Sequence, residues 1–369
     1  MIIKKIITVL TVLVLVLGGV TACGTKNSNK DNGDKIQIVT TIFPEYDWVK
    51  NVLGDKADNA EVTMLLDKGV DLHSYQPTAA DILKISTCDL FIYVGGESDE
   101  WVDDALQEAV NKDMVVINLL ETLGDSVKEE EVVEGMEHDH DHDHEHEEDE
   151  DHDHEHEEGE EHDHEHEEEH DHEHEEDEDH DHEHHHEEGE AEYDEHVWLS
   201  LRSASVIVDE IADSLSKIDS KNADAYKKNA SSYKDKLNAL DKKFTSAVAA
   251  GKVKTVLFGD RFPFRYFTDD YGLSYYAAFV GCSAETEASF ETITFLAQKV
   301  DELSLKAVLT IEGKDHKIAE TIVNNTKSKN QKILTLDSMQ STTSDDVKKG
   351  TTYLSIMEGN LEVIKEALK

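Results

Sequence analysis

Between His138 and His186 every residue except Gly159 is histidine, aspartate or glutamate, and this run dictates how the rest of the chain can fold. It offers nothing apolar to bury and repels itself at neutral pH, so it is expected to be disordered and to interrupt whatever folds on either side. It also carries most of the charge. Residues 129–190 hold 37 acidic residues and no Lys or Arg. Of the formal charge of −49, the remainder of the chain, with 47 acidic against 35 basic residues, therefore keeps only −12. A body of such ordinary acidity has no basic footprint, which excludes nucleic-acid binding.

The run contains 19 of the 22 histidines: His138, His140, His142, His144, His146, His152, His154, His156, His162, His164, His166, His170, His172, His174, His180, His182, His184, His185 and His186. Neutral imidazole suits zinc, copper and nickel, and alternating carboxylates raise the local cation concentration. The pattern implies a loose loop collecting several transition-metal ions at low affinity. It does not choose the metal or the purpose, since a metal chaperone, a storage protein, an efflux component and a receptor could all carry it.

At the start, Lys4 and Lys5 precede an apolar run from Ile6 to Leu17 and then Val20-Thr21-Ala22-Cys23. This is the pattern of a lipoprotein signal peptide (1–22) with a lipidated Cys23, too short and wrongly flanked for a spanning helix; the alternative is an uncleaved anchor helix. Residues 23–35 then form a flexible tether to the membrane, placing the folded body on its extracytoplasmic face. Cys88 and Cys282 remain, a pair that is either bridged or two free buried thiols.

Setting these segments aside leaves roughly 270 residues, enough for two lobes. Ahead of the run, β-rich segments fall at 36–42, 61–66, 89–95 and 114–119; after it they recur at 254–259, 274–279, 306–312 and 332–337, with helix-period stretches at 290–303 and 316–328. Strands alternating with helices predict an α/β protein with two lobes, each an about four-stranded parallel sheet with flanking helices. Residues 222–250 lack Pro and Gly and space Ala225, Ala230, Tyr233, Leu237, Leu240, Phe244 and Val248 as one helix face. That predicts a rigid helix of some 40 Å joining the lobes; the alternative is an ordinary helix of the second lobe. The expected division is an N-terminal lobe at 36–221, with a metal-collecting loop at 128–194 inserted, the joining helix at 222–250, and a C-terminal lobe at 251–369. Ligands of such sheets bind beyond the carboxyl ends of the strands, here in the cleft between lobes.

The individual residues that point to an ordered site are few. His73 stands in Asp71-Leu72-His73-Ser74-Tyr75-Gln76-Pro77-Thr78, His196 in Asp194-Glu195-His196-Val197-Trp198-Leu199, and Asp337 at the end of Leu334-Thr335-Leu336-Asp337. With Thr41-Ile42-Phe43-Pro44-Glu45-Tyr46-Asp47, Gly54-Asp55-Lys56, Tyr266-Phe267 and Tyr271-Gly272-Leu273, they make the chain resemble, over nearly its whole mature length, the metal-receptor lipoproteins of ABC importers. It is most similar to the zinc-binding branch, in which one rigid helix joins two lobes.

The resemblance implies a mononuclear site in the cleft, with His73, His196 and Asp337 as ligands. That branch supplies a third histidine after the fifth strand, where this chain has Arg261, whose guanidinium stays protonated and cannot ligate. Asp260, beside it and directly after the expected strand, is the expected replacement. Two histidines and two carboxylates suit four-coordinate zinc but approach the donor set of manganese receptors, so the carried ion is Zn2+ with Mn2+ as the alternative. Glu312 is a candidate supporting residue, His316 reads as a surface histidine, and Glu45 and Glu97 as loop holders.

The expected partners are the divalent ion, the membrane through the lipid, and an ABC permease that receives the ion from a receptor acting as a monomer; a surface metal buffer or adhesin is the rival. No nucleophile motif supports an enzyme. Because imidazole must be neutral to ligate, binding is expected to weaken below about pH 6.5.

Overall fold

The computed structural model describes residues 35–136, 192–283, 287–313 and 315–369. Cys23 and all 19 histidines of the acidic run lie outside them. The first sheet comprises β1 (Ile36–Thr40), β2 (Ala60–Met64), β3 (Leu90–Tyr93) and β4 (Val115–Asn118), all parallel in the order β2-β1-β3-β4. The second repeats that topology with β5 (Thr255–Phe262), β6 (Ser274–Val280), β7 (Ala307–Thr310) and β8 (Lys332–Thr335) in the order β6-β5-β7-β8. Every residue of β3 and of β7 is buried, as strands covered on both faces must be.

Around the first sheet lie α1 (Phe43–Leu53), α2 (Ala79–Thr87), α3 (Trp101–Gln107), α4 (Leu119–Leu123) and α5 (Leu201–Ile218). The joining helix is α6 (Ala223–Ala250), and the second sheet carries α7 (Arg265–Tyr271), α8 (Phe290–Glu302), α9 (Lys317–Asn325), α10 (Ser344–Lys348) and α11 (Tyr353–Ala367). Pro44 sits in the first turn of α1, where no amide hydrogen is needed. The Glu45 carboxylate accepts from the amides of Thr41 (2.8 Å) and Ile42 (3.2 Å), satisfying donors exposed at that helix start.

The 28 residues of α6 span about 42 Å. Its buried face touches both lobes. Tyr233 donates to Asp47 Oδ2 at 3.2 Å and Asn229 to the Val52 carbonyl at 3.0 Å on the first lobe, while Phe244 packs edge-on against Phe267 and stacks with Tyr271 on the second. Gly54, at φ 51°, ends α1 so tightly against Asn229 that a Cβ there would stand 2.4 Å from its amide nitrogen. Trp48 of α1 meets Tyr353 of α11 at 5.2 Å between centroids, so one continuous core runs through both lobes. Such packing opposes a wide hinge.

Three local expectations change. Strand β5 runs to Phe262 through a register shift between Phe258 and Arg261, which puts Asp260 and Arg261 within the strand rather than after it. β8 stops at Thr335, two residues short of Asp337. The margins of the 128–194 insertion belong to the fold: Glu129 bridges Tyr193, the Glu130 amide donates to Glu192 (2.8 Å), and the Asp194 amide to Lys128 (2.9 Å). Backbone pairing thereby clasps the two ends of the acidic run together, two residues from His196.

Candidate metal centre

The two histidines are presented by the same local device. In Asp-x-His, the aspartate accepts the backbone amide of the histidine two residues on, a short Asx-type turn that fixes where the ring departs. Asp71 Oδ1 accepts from His73 at 3.1 Å, opening the 3-10 turn Leu72–Ser74; Asp194 Oδ1 accepts from His196 at 2.9 Å, ahead of the turn Val197–Leu199. The second turn is pinned to the other lobe. Trp198 donates to the Ser338 carbonyl at 2.9 Å, Tyr353 to the Trp198 carbonyl at 2.7 Å, and the Tyr266 hydroxyl to the Asp194 carbonyl at 2.8 Å while accepting from the Lys128 amide at 3.0 Å.

The rings converge in the cleft with Nε2 facing Nε2 at 3.2 Å. Tetrahedral zinc with Zn–N arms of about 2.0–2.1 Å separates two nitrogen ligands by roughly 3.3–3.4 Å, so the pair already spans one edge of such a site. Their other nitrogens are occupied. His196 Nδ1 lies 3.0 Å from Asp194 Oδ1; His73 Nδ1 lies 2.7 Å from Ser98 Oγ and 3.5 Å from Glu195 Oε2. The Asp194 carboxylate behind His196 fixes the tautomer that leaves its Nε2 free to ligate and raises its basicity, while at His73 the Ser98 hydroxyl occupies Nδ1.

Burial, and then the neighbouring His196 ring, lower the His73 pKa to about 3. The shift favours the neutral form of His73, the form able to ligate. Burial pushes Asp71 upward, but the Arg261 guanidinium overrides it and holds that carboxyl below its ordinary value.

Of the sequence-derived ligand set, the structure brings His73 and His196 together and leaves the two aspartates elsewhere. Among the described residues, the group of potential ligand atoms lying within 4.8 Å of one another is His73, His196 and Cys282. Asp260 accepts from its neighbour Arg261 (2.9 Å) and from the Ile311 amide (3.2 Å), tying β5 to the end of β7. Asp337 accepts from the Met339 amide at 2.8 Å and faces a separate cavity of about 310 Å³ with Asp346, Ser341 and Thr351. Burial and the nearby Glu312 raise its pKa to about 6.

Glu312 gathers the 338–341 loop, accepting from the amides of Ser338 (2.6 Å), Gln340 (2.9 Å) and Ser341 (3.3 Å). The Gln340 amide, its nitrogen turned toward Asp71, donates to both carboxylate oxygens at 3.0 and 2.9 Å. Gln340 thereby connects Glu312 to Asp71, the residue that positions His73. His316 lies at the start of α9, half-buried, outside the ligand group.

Cys88 and Cys282 are both free thiols. Cys282 had entered the sequence reading only as half of a possible disulfide. The signal that marks it is its place: it follows β6, the strand next to β5, at the cleft end of the second sheet. Burial, and then the carboxylates of Glu130, Glu195 and Asp194, push its thiol above the ordinary range. Next to the pair, a cavity of about 720 Å³ opens between Asp71 and Ser74 of the first lobe and Asp260, Arg261 and Glu312 of the second.

A family model described as the periplasmic component A of the zinc-uptake complex, ZnuA, matches residues 38–367. The chain belongs to this family. Among its ZnuA relatives, the zinc-binding protein AdcA of Streptococcus pyogenes is 30% identical over 335 residues, covering 90% of this chain and 56% of that protein. This chain spans about half the length of such streptococcal relatives. The high-affinity zinc uptake system protein ZnuA of Bacillus subtilis is 29% identical over 353 residues, 95% of this chain and 93% of that one.

Of solved structures, the Zn(II)-bound ZnuA-like domain of Streptococcus pneumoniae AdcA superposes with a TM-score of 0.62 at 26% identity, covering 90% of this chain and 99% of that domain. The laminin-binding adhesin of Streptococcus agalactiae shares the fold, with a TM-score of 0.65 at 22% identity.

Proposed function

We propose that this protein is an extracytoplasmic zinc receptor, tethered by lipidated Cys23, that binds the ion between His73 and His196 and hands it to an ABC-type permease. The single observation carrying the reading is the pair of imidazoles, His196 buried and His73 half-buried, aimed at each other across one tetrahedral edge, with the Asp194 carboxylate behind His196 and Ser98 behind His73. Membership in a zinc-uptake family and the Zn(II)-bound relative support zinc over manganese as the cargo. A receptor, unlike a metallohydrolase, needs no water activated beside the ion.

In this reading the histidine run collects ions at modest affinity, and the clasp formed by Lys128–Glu130 with Glu192–Asp194 delivers them beside His196. The continuous core behind the cleft restricts release to local movement of the loops bearing the ligands when the receptor docks.

Competition titration of the full chain against a strong zinc chelator tests the proposal. One tight, His73-dependent and His196-dependent equivalent is expected, together with loss of growth under zinc starvation when the gene is deleted, restored by the wild-type chain and not by His73→Ala. Tight binding that survives both alanine substitutions, or manganese displacing zinc from that equivalent, would overturn it. Growth unaffected by the deletion would favour a surface buffer or adhesin.

A further inference from the structure

Three features of the cleft share no explanation so far. Cys282 places a sulfur within 4.8 Å of one ring nitrogen of His73 and one of His196. Gly281 brings the backbone against the His196 ring: a Cβ on it would stand 2.9 Å from His196 Cε1, 3.1 Å from Nδ1 and 3.0 Å from the Phe262 carbonyl oxygen. Arg261 reaches across the cleft, with Nη2 on Asp71 Oδ2 at 2.7 Å and Nη1 on the Ser283 carbonyl at 3.4 Å.

The guanidinium therefore links the turn that carries His73 to the residue following Cys282. Glycine on one side and this tether on the other hold the 281–283 loop against the histidine pair. The Cys282 amide, directed at Glu130 Oε1 (3.4 Å), ties the same loop to the paired segments Lys128–Glu130 and Glu192–Asp194.

We propose that the Cys282 thiolate is the third protein ligand of the metal site, completing a His73–His196–Cys282 set, and that Arg261 positions the loop that presents it. The inference rests on the zinc-receptor reading above. A Zn–S arm of about 2.3 Å against a Zn–N arm of about 2.0–2.1 Å puts sulfur and nitrogen roughly 3.5 Å apart, a separation that side-chain adjustment reaches from a cluster whose ligand atoms already lie within 4.8 Å of one another. Binding replaces the S–H bond by Zn–S and releases the proton to solvent.

The substitution also bears on selectivity. Soft thiolate favours zinc and disfavours manganese, for which oxygen donors are preferred. The pairing of Arg261 with Asp71 supplies no ligand, but it neutralises a cation that would otherwise face the incoming ion.

The test uses cobalt(II) as the probe ion on the full chain, with Cys23→Ser in every sample so that Cys88 and Cys282 are the remaining thiols. Because the histidine run contains no sulfur, thiolate-to-cobalt charge transfer in the near ultraviolet is blind to it. The band should appear with the first tight equivalent, vanish in Cys282→Ser, persist in Cys88→Ser, and be displaced by zinc. Chelator competition should show Cys282→Ser losing more zinc affinity than the roughly 10–100-fold typical of an outer-sphere partner, while its metal-free thermal melting stays that of the wild type. Arg261→Gln should weaken zinc binding and keep the band.

Tight, His73-dependent zinc binding without a thiolate band, or with affinity unchanged in Cys282→Ser, would overturn the cysteine ligand and leave the receptor reading standing. Absence of any His73-dependent tight site would overturn both.

Discussion

Asp194→Asn separates the orientation of His196 from its presence. Asp194 is 2% exposed, and its Oδ1 accepts both the His196 amide (2.9 Å) and, at 3.0 Å, the ring Nδ1. Asparagine fits the same volume, and the backbone contact favours keeping its oxygen in place. What is lost is the negative charge that polarises the imidazole and compensates the bound cation. Outer-sphere partners of this kind typically contribute 10–100-fold in metal affinity, or about 1.4–2.7 kcal/mol. The expected result is a fall of that size in the tight zinc equivalent, read by chelator competition, with metal-free unfolding in urea shifted by less than about 1 kcal/mol because the hydrogen bonds survive. Zinc affinity within about twofold of wild type would refute the argument that this carboxylate tunes the ligand.

Burial raises the Asp47 pKa from the ordinary carboxylate range to about 6. Its stabilising protonation is complete below the unfolded value and lost as pH rises through about 6, so the difference in stability between Asp47→Asn and wild type should move in favour of the variant by up to about 3 kcal/mol between pH 4 and pH 8, measured by urea denaturation. Tyr266→Phe removes the hydroxyl that joins the Lys128 amide to the Asp194 carbonyl; a loss of about 1–3 kcal/mol in stability is expected, along with weaker zinc binding from a loosened His196 turn. Phe244→Ala, on the fully buried face of α6 against Phe267 and Tyr271, should cost about 3–5 kcal/mol in denaturation without changing zinc affinity in the folded protein. Saturating the tight site at about 100 times its Kd should add about 2.7 kcal/mol to unfolding stability, an increment removed by excess chelator and absent in His73→Ala.

Much of the architecture was legible from pattern alone. Alternating apolar runs and helix-period stretches marked all eight strands, and the uninterrupted 222–250 face marked α6, because burial on both sides of a parallel sheet and on one side of a helix leaves a periodic trace in composition. Boundaries were less legible. The β5 extension depends on pairing with β6 across a register shift, and no local signal encodes which strand will be the neighbour.

At the site, the His73 and His196 motifs were visible because each is a run of consecutive residues. The residues around them were not. Asp260, next to the departure at Arg261, looked like a ligand in sequence, yet in the fold both its oxygens are taken by backbone amides. Asp337 likewise turns to a different cavity, and Gln340 and Glu312 act on Asp71 from across the cleft.

The sequence by itself determined the class of chemistry, a nitrogen-rich transition-metal binder built on two α/β lobes, since residue type and periodicity are local properties. Tertiary structure alone decided which side chains meet. His73, His196 and Cys282 are separated by 123 and 86 positions, and a coordination site is a condition on distances of a few ångströms that only the packing of one lobe against the other can set.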